Sequence, residues 1–175
     1  MCGITGFWSN KGARELRLPA LRRMSQAISH RGPDSDGVWQ DSNQEINLGH
    51  RRLAIIDLTP TGHQPMVAPD GSGVLTYNGE IYNFPDLRAE LSAKGVRFVG
   101  SSDTEVLLQG ILAWGVIACL RKLNGMFAFA YWDAKERALW IARDRFGEKP
   151  VYYSWQRGQF FFPGGKYRAA FERRC

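Results

Sequence analysis

The second residue of the chain is a cysteine, and removal of Met1 would leave its thiol and a free α-amine on one residue. An α-amine ordinarily titrates at ~7.7–8.0 and a thiol at ~8.5, so proton exchange between the two near neutrality is cheap. A terminal amine can therefore act as the base for its own nucleophile, with no histidine required. Alone this is weak evidence, because an incidental or buried cysteine fits Cys2 equally well. Other polar groups have their own local readings. Arg51-Arg52 reads as a solvated strand end, and Asn78-Gly79 as a hairpin turn. Asp103 reads as a favourable acid in the first turn of a helix, and Arg143-Asp144-Arg145 as a surface ion-pair cluster. His30, His50 and His63 have no partner at metal-ligand spacing, so no metal site is expected. A Cys-His pairing through His50 or His63 remains an alternative route to a nucleophile.

The elements that would position these groups follow from periodicity. Gly3 to Trp8 reads as a strand. Leu18, Leu21, Met24 and Ile28 keep helical spacing, with Pro19 in the first turn. A turn-rich loop, Arg31-Gly-Pro-Asp-Ser-Asp-Gly37, follows. Strands are expected at 37–40, 46–56 and 74–78, and a helix at 85–94 capped by Gly95. Another helix starts near Asp103, with Ser102 and Glu105 as a capping box. In Met126 to Trp132, Phe127, Phe129 and Tyr131 fall on one side and Met126, Ala128, Ala130 and Trp132 on the other. Both faces are apolar, which predicts a strand covered on both sides. Residues 138–143 are expected to be a second double-sided strand, with further strands at 151–155 and 159–162. Phe129 and Trp140 read as core. Strands covered on both faces, with helices at intervals, predict an α+β fold in a four-layer αββα sandwich: two packed, mostly antiparallel sheets between helical layers.

The 175 residues are one domain by length. The net charge is +6, but the stretch after Phe162 holds four basic residues against one acid and so carries half of it. Elsewhere bases and acids alternate, and no basic stripe with interleaved aromatics marks a nucleic-acid partner. No apolar run approaches the ~20 residues of a membrane span, which predicts no membrane partner. Met1 to Asn10 shows neither a basic n-region nor a long apolar stretch, so no signal peptide is expected. Three cysteines at unrelated spacing (Cys2, Cys119, Cys175) are no disulfide framework. These features predict a cytoplasmic protein, and Cys119 reads as a small buried hydrophobe.

Read in order, the motifs resemble a known family. Met1-Cys-Gly-Ile-Thr-Gly-Phe7 is similar to the opening of the glutaminase domain of class II glutamine amidotransferases. Arg31-Gly-Pro-Asp-Ser35, Leu48-Gly-His-Arg-Arg-Leu53, Tyr77-Asn-Gly-Glu-Ile-Tyr-Asn83 and Ser102-Asp-Thr-Glu105 follow in the family's order. Leu123-Asn-Gly-Met-Phe-Ala-Phe129 and Ala142-Arg-Asp-Arg-Phe-Gly-Glu-Lys-Pro-Val-Tyr-Tyr153 resemble glutamine-dependent asparagine synthetases in particular.

The resemblance implies an N-terminal-nucleophile hydrolase fold and hydrolysis of L-glutamine to glutamate and ammonia through a thioester on Cys2. It gives Asn78 and Gly79 the part of an oxyanion hole, where one donor is typically worth about 2.7–4 kcal/mol. Arg52 matches the arginine that grips the α-carboxylate, and Leu53, Ala54, Ile55 and Ile56 the segment whose backbone lines the same pocket. Glu80 and Asp103 match the acids that hold the α-ammonium. No metal or cofactor is implied for this domain. ATP and magnesium belong to a synthetase domain or subunit that would amidate aspartate with the ammonia. The Ser-Gly-Gly-x-Asp-Ser loop of such a domain does not occur in these residues. A homodimer is compatible with the resemblance.

The family continues past Phe160-Phe161-Phe162 with Ala-Ser-Glu-(Leu or Ile)-Lys, and here the match stops within one residue. Residues 1–162 are therefore expected to be the amidotransferase domain without its last elements, and 163–175 a divergent basic tail from truncation or a frameshift. The rival readings are an inactive remnant or glutamine-binding regulatory module, and the glutaminase half of a related enzyme with another amide acceptor.

Overall fold

The computed structural model describes residues 2–53 and 60–163. Strand β1 (Gly3–Trp8) is followed by helix α1 (Arg17–Ala27) and strands β2 (Ser35–Gln40) and β3 (Ile46–Arg52). The short β4 (Met66–Val67) leads into β5 (Gly73–Ile81). Helices α2 (Phe84–Ala93), α3 (Asp103–Trp114) and α4 (Val116–Lys122) come next, then β6 (Gly125–Asp133), β7 (Ala138–Arg143), β8 (Ser154–Gln156) and β9 (Gln159–Pro163). A first sheet runs β2-β3-β1-β9-β8 and a second β4-β5-β6-β7, with every pairing antiparallel. Helix α1 packs on the first sheet, and α3 packs on the second with α2 and α4 against it. This is the expected αββα order. No helix among the described residues is long and apolar enough to cross a membrane.

Strand β6 shows why the layers form. Phe127, Phe129 and Tyr131 join Leu75, Tyr77, Ile81 and α3 residues Val106, Leu107 and Ile111 in one buried cluster. Ala130 and Trp132, on the opposite face, join Val74 of β5 and Ile46, Leu48 and Phe162 of the first sheet in another. The alternation thus divides one strand between the helix–sheet core and the sheet–sheet core.

Several local expectations need correcting. Asn78-Gly79 is no turn: it lies inside β5, paired with Ala128 and Phe127. Strand β7 is the edge of its sheet, partly exposed, and Trp140 is 37% exposed rather than core. The strand starting at Ile46 is described to Arg52, and its expected continuation over 54–56 lies outside the described residues. The strand expected at 151–155 is Ser154–Gln156. Only half of the capping box forms: Ser102 Oγ accepts from Glu105 N at 3.2 Å. The Glu105 carboxylate turns instead to the backbone N–H groups of Val99 and Gly100, both at 2.8 Å. Helix α4 was not anticipated; it begins after Gly115, whose φ of +80° suits glycine. It buries Cys119, whose thiol burial pushes up to about 12. Residues 164–175 of the expected tail, Cys175 included, lie outside the described residues, whereas Pro163 pairs with Thr5 in β9.

Candidate active site

Cys2 precedes β1 at the end of the first sheet where β3 finishes. The Leu53 backbone N–H donates to Cys2 Sγ at 3.3 Å, and the thiol faces the Leu53 carbonyl oxygen at 3.5 Å. The Arg31-to-Ser35 loop closes around this end. Arg31 Nε donates to the Cys2 carbonyl at 3.2 Å, and Asp34 N to the Arg52 carbonyl at 3.1 Å. Gly32 lies so close to the Arg51 backbone that a Cβ would overlap it.

The two arginines separate by strand alternation. Arg51 turns toward α1, donating to Ser25 O at 3.2 Å and to Gln26 Oε1 at 2.6 Å, with Asp36 at 3.6 Å. It is therefore not a solvated strand end. Arg52, half-buried, shares its strand face with His50, close enough for its charge to bear on the imidazole. His50 is fully buried, and its Nε2 lies 3.1 Å from the Tyr77 carbonyl. Burial, opposed by that hydrogen bond and aided by His63 and Arg52, lowers its pKa to about 3. An imidazole of that pKa is a weak base near neutrality, which argues against the Cys-His alternative. His63 is exposed.

The second sheet presents its contribution along β5. Phe127 uses both backbone groups on the side away from β5: its N–H donates to Asp144 Oδ2 at 3.2 Å and its carbonyl accepts from Asp144 N at 2.8 Å. Gly79, opposite Phe127, therefore points its own N–H away from β6. Its neighbours on that outer row are occupied. Tyr77 N donates to Gln64 Oε1 at 2.6 Å, and Ile81 N to Asp103 Oδ2 at 3.1 Å. The Gly79 N–H between them has no partner among the described residues. Glycine is required at this point, because a Cβ would overlap the Met126 carbonyl oxygen and lie 2.7 Å from Phe127 Cα. Asn78 is buried, and alternation turns its side chain to the face that looks at the first sheet.

Tyr77 ties the remaining residues together. Its hydroxyl donates to Asp103 Oδ2 at 2.7 Å. Burial, then the charge and hydrogen bond of Asp103, hold the phenol well above its ordinary value. Asp103, at the start of α3, is thus tied to β5 through this phenol. Burial raises the Asp103 carboxyl, although Tyr77, Ile81 and Thr104 donate to it and offset part of the rise. Glu80 is exposed and Leu53 half-buried, whereas Ala54, Ile55 and Ile56 lie outside the described residues.

Residues 1–173 match the family described as "Glutamine amidotransferase domain". The chain belongs to the glutamine amidotransferase family.

Relatives of this amidotransferase domain include "Asparagine synthetase [glutamine-hydrolyzing] 3" of Bacillus subtilis, 43% identical over 93% of this chain and 26% of that protein. A putative asparagine synthetase of Methanocaldococcus jannaschii is 37% identical over 93% of this chain and 33% of that protein. "Amidase chry2" of Gibberella zeae is 37% identical over 88% of this chain and 24% of its own length. The chain spans about a quarter to a third of these relatives. The fold is shared with a glutamine phosphoribosylpyrophosphate amidotransferase from B. subtilis, with a TM-score of 0.75, 23% identity, and coverage of 93% of this chain and 42% of that one.

Two features of the amidotransferase domain were missed in the sequence. Gln64 joins β5 to α3, a partnership of residues far apart in the chain with no local pattern to reveal it. Asp144 is not part of a surface ion-pair cluster. It is buried and accepts from the backbone N–H groups of Phe127, Phe146, Glu148 and Lys149 at 2.9–3.2 Å. A cavity of about 350 Å³ between α4 and β7, lined by Leu120, Phe127 and Arg143 among others, contains none of the anticipated site residues.

Proposed function

We propose that this domain hydrolyses L-glutamine to glutamate and ammonia with Cys2 as nucleophile. The observation that carries the reading is the Gly79 N–H, which points away from β6 and has no partner among the described residues. It projects from the outer edge of the second sheet, between the Tyr77 N–H that donates to Gln64 and the Ile81 N–H that donates to Asp103. The α-amine of Cys2, exposed by loss of Met1, takes the thiol proton. The sulfur then adds to the glutamine amide carbon. The oxygen of the tetrahedral intermediate is met by the Gly79 N–H and the Asn78 carboxamide. Collapse breaks the carbon–nitrogen bond, the terminal ammonium returns its proton, and ammonia leaves a thioester. Water then releases glutamate and restores the thiol. Arg52 holds the α-carboxylate and Asp103 with Glu80 the α-ammonium.

The ammonia is destined for ATP-dependent amidation of aspartate by a synthetase domain or subunit. That reading rests on the glutamine-hydrolysing asparagine synthetases among the relatives. ATP and magnesium belong to that later amidation and enter none of the hydrolytic steps above. The direct test is a glutaminase assay on protein lacking Met1, with Cys2→Ala beside it. Ammonia release that disappears in the variant supports the proposal. Release that survives in the variant sinks the nucleophile assignment, and no release from the processed wild type favours a glutamine-binding module.

A further inference from the structure

Along the outer edge of β5, two side chains stand where a neighbouring strand would be. Strand β4 pairs only with Leu75 and Val74, and Pro65 before it has no N–H to extend the ladder. The next outward peptide groups of β5 belong to Tyr77. Its N–H donates to Gln64 Oε1 at 2.6 Å and its carbonyl accepts from His50 Nε2 at 3.1 Å. Gln64 in turn donates through Nε2 to Thr104 Oγ1 in the first turn of α3, at 3.3 Å. Both residues are themselves fixed. Gln64 is 5% exposed, and its carbonyl presses against Gly37 of β2, where a Cβ would overlap it. His50 is 1% exposed and sits on β3, in the same sheet as β1.

A continuing strand would have engaged the Gly79 N–H as well as the Tyr77 groups, and the donor would then be spent. A carboxamide and an imidazole reach a single residue. They hold Tyr77 and leave the donor two residues further on without a partner among the described residues. His50 grips from the sheet that leads from Cys2, and Gln64 from the loop that also anchors α3, where Asp103 begins.

We propose that Gln64 and His50 are positioning residues for glutamine hydrolysis, clamping the Tyr77 backbone so that the Gly79 N–H stands at a fixed distance from the Cys2 thiol. This rests on the glutaminase reading, since it deepens that site's account of its oxyanion donor. The clamp acts on the transition state more than on the bound ground state, because the α-groups of glutamine are held by the side chains of Arg52, Glu80 and Asp103. Asp103 keeps its own bonds from the Tyr77 hydroxyl and Ile81 N when the carboxamide is lost.

The test uses the whole chain without Met1 and two ligands. The γ-aldehyde analogue of glutamate adds the Cys2 sulfur to its carbonyl carbon. The thiol proton passes to the oxygen, which must occupy the oxyanion site. Glutamate itself reports only the grip on the α-groups. Gln64→Met keeps the volume but loses both hydrogen bonds. It should lower kcat and aldehyde affinity by roughly 10- to 100-fold, the scale expected of a misplaced catalytic donor, while glutamate affinity holds. Equal weakening of both ligands, or of neither, overturns the clamp. Should Gln64→Met not fold, Thr104→Val removes the anchor of the carboxamide alone. A selective loss of aldehyde affinity there supports the proposal, and an unchanged ratio overturns it. A wild-type chain that neither hydrolyses glutamine nor binds the aldehyde overturns the glutaminase reading itself, before any variant is compared.

Discussion

The thiol of Cys2 lies 3.3 Å from the backbone nitrogen of Leu53 and 3.5 Å from its carbonyl oxygen. The proposed nucleophile is thereby oriented by the residue that follows Arg52, the proposed carboxylate anchor. Whatever shifts the end of β3 shifts Arg52 and the sulfur together, so the proposed anchor and the proposed nucleophile share one reference point.

Arg52→Lys keeps the charge but loses the fork that matches a carboxylate. It should raise KM for glutamine by about tenfold or more, equivalent to one charge-assisted hydrogen bond, with a smaller change in kcat. Steady-state kinetics on the two proteins checks the split.

Gly79→Ala places a methyl against the Met126 carbonyl oxygen and Phe127 Cα. Backbone has to move, so the variant should be less stable by about 1–3 kcal/mol. Its activity should fall further than that loss explains, because the N–H that moves is the proposed oxyanion donor. Denaturant unfolding and kcat measured together separate the two effects.

Asp144 holds the start of β6 and the loop after β7 through four backbone N–H groups. Burial works against its ionisation, but the N–H groups of Lys149, Glu148, Phe127 and Gly147 prevail and keep the carboxyl below its ordinary value. Asp144→Ala strands those donors and should cost about 3 kcal/mol or more. Its depressed pKa adds stability that is complete above the ordinary carboxylate value of 3.8 and is lost as pH falls below it. Chemical denaturation of wild type and variant across that range tests both statements.

His50 is buried neutral with a pKa of about 3 against 6.5 for the free side chain. Between those values the unfolded chain binds a proton that the folded chain refuses. Stability is therefore complete above pH 6.5 and falls toward pH 3, by up to about 1.4 kcal/mol per pH unit from this group. The neighbouring His63 and Arg52 both act to deepen the effect. His50→Gln, which cannot titrate, should flatten that limb of the stability curve. An unchanged slope would mean that His50 protonates freely in the folded chain.

The layered fold was legible because its signal is a long-range pattern written locally. In Met126 to Trp132 each face is apolar, and each face found its own core. Asn78-Gly79 misled because the dipeptide's preference for turns is a local effect, outweighed here by pairing with Ala128 and Phe127 along a nine-residue strand. Trp140 misled in the opposite direction: β7 has the composition of a central strand but the place of an edge. The candidate site residues came from motifs, whereas the groups that hold them came only from the fold. Gln64 meets Tyr77 and Thr104 across 13 and 40 residues, and no periodicity encodes such a meeting.

The central claim is that Cys2, freed of Met1, is the nucleophile. Intact mass after exposure to a glutamine-mimicking diazoketone tests it most directly. The predicted result is a chain lighter by one methionine carrying a single adduct on Cys2, prevented by excess glutamine and absent from Cys2→Ala. An adduct on Cys119 or Cys175, or labelling of Cys2 that proceeds equally well with Met1 retained, would contradict it.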